Sequence, residues 1–205
     1  MMQKSFTVSF TPTAKEVDSE VHDSQSSKEL MCFNVNSSIE LGTSLEGASC
    51  TCNSVGKVSD VFSLAKAFLS ISKMTNKKLQ KLCYYSKAWY LALYDCNLIS
   101  EPFEAWVHGA VQPLLYEKYK EYGYSEIPMC KNMAQVPEEF ISFAREIYNS
   151  YGHLTGDDLE QLNHQETPWI KARGTCKPWE KCNTEISEDD MKVFYRGLMM
   201  NGENS

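Results

Sequence analysis

The chain has 205 residues, 42% of them hydrophobic, with a net charge of −7 and a pI near 5.2. That length suits one globular domain with an appendage, and that apolar fraction is enough for a core. The acidic balance argues against a nucleic-acid binder that works by neutralising phosphates, and no apolar run approaches a membrane span. A cytosolic protein is the default expectation, because the N-terminus lacks an apolar stretch of signal-peptide length. The eight cysteines (32, 50, 52, 83, 96, 130, 176 and 182) are then expected to be reduced.

Residues 1–57 form an N-terminal extension unlike the rest. They hold four lysines against seven acidic residues and contain no Trp or Tyr. Phe6-Val8-Phe10 and Met31-Phe33-Val35 alternate as half-buried strands do, while AKEVDSEVHDSQSSKEL between them suits a polar helix or a linker. A partly disordered arm is the competing expectation.

From 58 to 201 the pattern is helical. Ser59 can cap a helix that carries Val61, Leu64, Ala65, Phe68 and Leu69 on one face. Thr75 caps a longer helix to about Tyr94, with Leu79, Leu82, Cys83, Ser86, Trp89, Tyr90 and Leu93 at spacings of three and four. Glu104–His108 is expected to be a short strand ended by Gly109. Pro113 suits the first turn of a helix bearing Leu114, Leu115, Tyr116, Tyr119 and Tyr122, with Gly123 as its stop. Pro137 opens a helix ending at Gly152. Thr155-Gly-Asp-Asp158 and Ser187-Glu-Asp-Asp190 have capping-box spacing, the second before Met191, Phe194, Tyr195 and Leu198. The expected fold is mainly α: a compact helical domain with a short β element near Trp106, preceded by the extension and followed by a tail at 202–205.

In order, MTNKKLQKLCYYSKAWYLALY, FEAWVHGAVQPLLYEKYKEYG, YGHLTGDDLEQLNHQETPWIKAR and ISEDDMKVFY resemble the Panacea domain, found in phage-associated proteins and in SocA-like antitoxins. The resemblance runs from Val58 to about Leu198. It rests on Leu79, Leu82, Tyr85, Trp89, Trp106, His108, Gly109, His164, Pro168 and Trp169 as structural motif positions. One departure is Ala110, where the family usually has proline. The resemblance implies an antitoxin of a toxin–antitoxin system. Such a protein binds a protein toxin encoded nearby, has no enzymatic activity and needs no cofactor. SocA also delivers its toxin to a AAA+ protease, so an adaptor role is one alternative, and a DNA-binding regulator of its own operon is another.

A hydrolase using His108 or His164 lacks a visible nucleophile: no GxSxG elbow and no Cys–His signature is present. His108 is expected to hydrogen-bond the turn or a neighbouring helix end. His164 is expected at a helix C-terminus, where its ring meets the helix dipole or an acidic partner. Cys50-Thr-Cys52 with Cys32 is a poor match to zinc spacing, and Cys176 and Cys182 lie too far apart for a standard knuckle. Leu82, Tyr85 and Trp89 are expected in the core. Tyr116, Tyr119, Tyr122 and Tyr124, with a Lys77/Lys78/Lys81 face, are the expected partner-binding surface, although a solvated helix face is the simpler reading of the lysines.

Overall fold

The computed structural model describes residues 60–202, and the N-terminal extension with its expected strands, Ser59 included, lies outside the described residues. Among the described residues there are seven α-helices and four short strands. They are α1 (Val61–Ile71), β1 (Met74–Thr75), α2 (Asn76–Tyr94), β2 (Glu104–Trp106), β3 (Gly109–Val111), α3 (Pro113–Tyr119), β4 (Glu126–Ile127), α4 (Glu138–Tyr151), α5 (Gly156–Gln165), α6 (Thr167–Arg173) and α7 (Glu188–Gly202). The expectation of a mainly α fold with a short β element near Trp106 holds.

Local chemistry sets the helix starts. Asp60 caps α1 by accepting from Ser63 N at 2.7 Å. Thr75 caps α2 by accepting from Lys78 N at 3.3 Å. Gln112 caps α3 by accepting from Leu115 N at 2.7 Å, and Pro113 follows in the first turn, where no donor is needed. At α5 both halves of the capping box form: Asp158 N donates to Thr155 Oγ1, and Thr155 N donates to Asp158 Oδ2. Gly152, expected as a helix stop, keeps right-handed angles. Its missing Cβ matters for space instead, because a Cβ there would lie 2.8 Å from the Tyr148 ring.

Helix α2 is the axis of the molecule. It packs against α1, α3, α4, α5, α7 and β3, and it is buried on every side. A helix surrounded in this way is normally apolar all round. Here the wall is largely aromatic: Tyr85 stacks on Tyr151 at 4.4 Å, and Trp89 meets Tyr195 edge-on at 4.9 Å. Trp89 Nε1 donates to Tyr151 Oη at 2.9 Å, so the buried indole N–H has its partner. Leu82, Tyr85 and Trp89 all lie in this core. Yet Asn76, Gln80, Lys81, Ser86 and Lys87 are buried on the same helix, and their burial has to be explained by what they hold.

The single strand expected at Glu104–His108 is a hairpin. Strand β2 ends at Trp106, the chain turns at Val107-His108, and β3 returns antiparallel with Ala105 opposite Ala110 and Trp106 opposite Gly109. Gly109 sits at φ 89°, a backbone shape that costs a side chain strain. AWVHGAV has no separate turn signature, which is why the alternation did not reveal two strands.

Candidate functional site

A two-stranded hairpin buried among helices leaves both its outer edges short of hydrogen-bond partners, and buried backbone groups need them. In this protein side chains take the place of the missing strand on the β3 edge, while on the β2 edge the backbone around Glu185 does so with help from one side chain. On the β3 edge, Lys81 Nζ donates to Ala110 O at 3.0 Å and also to His108 O. Asn163 Oδ1 accepts from Ala110 N at 2.6 Å. Gln80 Oε1 accepts from Gln112 N at 2.9 Å. On the β2 edge, Ala105 N donates to Thr184 O at 2.9 Å, and Arg173 Nη1 donates to Ala105 O at 3.1 Å. Most of the buried polar residues of α2, α5 and α6 are thereby accounted for: they complete a sheet.

Ala110 gains meaning from this arrangement. Its N–H faces α5 rather than β2, and it is the donor that Asn163 binds. Proline, usual at this position in the resembled family, has no such donor.

Behind the edge lies a second layer. Asn163 Nδ2 donates to Glu166 Oε2 at 3.0 Å, and the Tyr195, Tyr85 and Tyr84 hydroxyls face the same carboxyl. Burial pushes Glu166 up to about 7, against the pull of Asn163 and of the nearby tyrosine hydroxyls. Burial likewise pushes Lys81 down to about 7, with Glu160 and Glu166 pulling the other way. Burial and the Glu166 charge raise the Tyr84 and Tyr195 hydroxyls well above the phenol range. A second buried lysine, Lys87, donates to Glu101 O at 2.9 Å and pairs with Glu188 at 2.7 Å, which ties α2 to the start of α7.

The histidines sit at the rim. His108 Nδ1 lies 3.0 Å from Glu160 Oε1, which fits the expected contact with a neighbouring helix. Its side chain is otherwise 71% exposed. Burial opposes ionisation of Glu160, but hydrogen bonds with Lys77 and His108 hold it below the usual carboxylate range. His164 lies in the last turn of α5 and stacks on Trp169 at 4.2 Å, and burial lowers its pKa. Trp169 Nε1 donates to Trp106 O at 3.2 Å, so Pro168 and Trp169 form the corner that joins α5 and α6 to the hairpin. Lys81 and Asn163 hold the hairpin backbone, and Asn163 also holds Glu166.

The lysine expectation is corrected here. Lys77, Lys78 and Lys81 do not share a solvated face. Lys77 bridges Asp157 and Glu160 at 2.7 Å each, Lys78 Nζ donates to Gly152 O at 2.6 Å, and Lys81 is 1% exposed. All three reach from α2 to other elements, because α2 is enclosed. The tyrosines divide. Tyr124 is 99% exposed, Tyr116 and Tyr122 lie at the surface, and Tyr119 packs partly against the core. Gln80, Glu160, Asn163, Glu166 and Arg173 were not singled out from sequence.

Among the described residues no cluster of three or more His, Cys, Asp or Glu is close enough to hold a metal ion, and no helix is long and apolar enough to cross a membrane. Cys32, Cys50 and Cys52 lie outside those residues. No curated protein and no solved structure matches the chain. The model of one family, described as antitoxin SocA-like, Panacea domain, matches residues 79–170. That stretch contains Gln80, Lys81, the whole hairpin, Asn163, Glu166 and the Pro168-Trp169 corner, so over residues 79–170 the chain is similar to the SocA-like Panacea domain, and the side-chain-completed sheet lies within that match.

Proposed function

We propose that this protein is a cytoplasmic antitoxin that neutralises a cognate protein toxin, encoded nearby, by direct contact and without catalysis of its own. The observation that carries the reading is the match of residues 79–170 to the SocA-like Panacea family. The geometry agrees with it: the buried Lys81 and Arg173 hold the hairpin inside the helices, and the exposed aromatic residues lie elsewhere. Tyr116, Tyr122 and Tyr124, with Leu114 and Met129, stand out from the α3–β4 region. Large aromatic side chains supply most of the affinity in many interfaces. In this reading residues 58–201 are the neutralising body, and residues 1–57 help to choose the toxin.

The test is expression of the neighbouring open reading frame with and without this protein. The neighbour alone should arrest growth, and co-expression should restore it with a stable complex on purification. Tyr124→Ala together with Leu114→Ala should weaken the complex about tenfold, or ~1.4 kcal/mol, without changing thermal stability. A neighbour that is harmless, or rescue without any complex, would refute the proposal. A shortened toxin half-life in the presence of this protein would point to delivery to a AAA+ protease.

A further inference from the structure

The chain enters α1 beside an exposed strip of α3. Asp60 caps α1 by accepting from Ser63 N at 2.7 Å, and Val61 N donates to Glu101 Oε1 at 3.1 Å. Those bonds fix the point at which residues 1–59 join the helical body. Next in the chain, Phe62 is half-buried against the core, and Lys118 Nζ of α3 lies 4.4 Å from its ring centroid. Lys66 stands one turn along the same face of α1, and Leu114 one turn before Lys118 on α3. Tyr122 lies a turn beyond Lys118. Leu114 is 57% exposed and Tyr122 38%. From Leu114 to Tyr122 the strip is about 12 Å long.

Charge says what the strip accepts. Neither Lys66 nor Lys118 pairs with a carboxylate among the described residues. Of the acids nearby, Glu117 is already paired with Lys120 at 2.5 Å, and Glu121 is the opposing charge at the far end. Two ammonium groups set among apolar side chains suit an acidic segment with small apolar residues. The extension contains one. Residues Glu16–Asp23, EVDSEVHD, hold four carboxylates and no Lys or Arg. As a helical turn, which the sequence suits, this segment sets Val17 and Val21 on one side, with Glu16 and Glu20 beside them at the same spacing.

We propose that residues 16–23 dock on this strip of their own chain. Their carboxylates pair with Lys66 and Lys118, and Val17 and Val21 cover Phe62, Leu114 and Tyr122. Reach is no obstacle: a chain covers up to ~3.3 Å per residue, so residues 24–59 span far more than the strip. Tethering lowers the affinity required. Two sites on one chain meet at an effective concentration on the order of a millimolar, so a contact of about millimolar strength is made about half the time. The consequence rests on the antitoxin reading: Leu114 and Tyr122 also belong to the surface offered to the toxin, so segment and toxin compete for it.

The experiment uses the full-length protein with p-benzoylphenylalanine in place of Leu114 or, in a second preparation, of Tyr122. Each is irradiated without toxin, digested with trypsin and mapped by peptide mass. Crosslinks to the peptide Glu16–Lys28 are expected, since trypsin cuts after Lys15 and Lys28. In an equal mixture of light and isotope-labelled protein, they should join light to light and heavy to heavy. The same probe at Val193, 72% exposed on α7, should give roughly tenfold less. Glu16→Lys with Glu20→Lys should cut the Leu114 yield about fivefold, and adding Lys66→Glu with Lys118→Glu should restore it. The first pair lies outside residues 60–202, so its effect is not a loss of the helical body. Mixed-mass crosslinks, an equal yield from Val193, no crosslink from either probe, or a yield indifferent to charge reversal would overturn the inference. No toxin is present, so each of those results leaves the antitoxin role standing.

Discussion

Gly109→Ala probes the side-chain-completed edge most directly. Gly109 has a φ of 89°, and an added Cβ would come within 2.5 Å of Lys81 Nζ and 2.8 Å of Asn163 Oδ1. Two costs follow. Placing a side chain on left-handed backbone costs about 1–2 kcal/mol. Displacing Lys81 or Asn163 removes at least one of the bonds to His108 O, Ala110 O and Ala110 N, and an unsatisfied buried group costs about 1–3 kcal/mol. Together the loss is about 2–5 kcal/mol, a large share of the ~5–15 kcal/mol that holds a domain folded.

The assay is urea unfolding followed by tryptophan fluorescence, read as a shift in midpoint at unchanged slope. A double-mutant cycle isolates the steric part. Lys81→Ala removes both the nitrogen and the Cε carbon that the new Cβ would strike, so Gly109→Ala should cost about 1–2 kcal/mol less in that background than in the wild type. If Gly109→Ala shifts stability by under about 0.5 kcal/mol, the value of an ordinary surface change, the edge account is wrong. If the two substitutions are strictly additive, Lys81 is not the group the backbone must clear.

Ala110→Pro should lower stability by about 1–2 kcal/mol, because it deletes the N–H that Asn163 accepts and recovers only part of that loss through a stiffer unfolded chain; an unchanged urea midpoint would show that this bond contributes nothing. Glu166 predicts a pH effect. Its carboxyl is raised from an ordinary 4.5 to about 7, so the stability it contributes is fully present below 4.5 and is lost as pH rises through 7. Lys81, lowered to about 7, is protonated in both folded and unfolded chains below that pH and adds no slope there. Wild-type stability should therefore fall by about 3 kcal/mol more than that of Glu166→Gln between pH 4.5 and 7. Parallel pH profiles would refute the buried-acid assignment.

Much of the fold was legible because its signals are local. Thr75, Pro113, the Thr155–Asp158 box and the apolar spacing of α2 each act within a turn or two of chain, where propensity and capping decide the outcome. The hairpin was not legible, since Val107-His108 is not turn chemistry of the Asn-Gly kind and the pairing of Ala105 with Ala110 depends on what encloses it. Lys81 misled for a related reason. A lysine on a helix is solvated by default, and only the arrival of β3 27 residues later in the chain turns it into a donor for His108 O.

By itself, the order of residues determined where α2, α3 and α5 start, that Leu82, Tyr85 and Trp89 belong to the core, and the resemblance to the Panacea domain. The tertiary structure alone decided what the buried Gln80, Lys81, Asn163, Glu166 and Arg173 do. A polar side chain carries the same donors and acceptors wherever it stands in the chain. Which ones it must satisfy is set by the unpaired backbone edge that folding brings against it, from segments dozens of residues away.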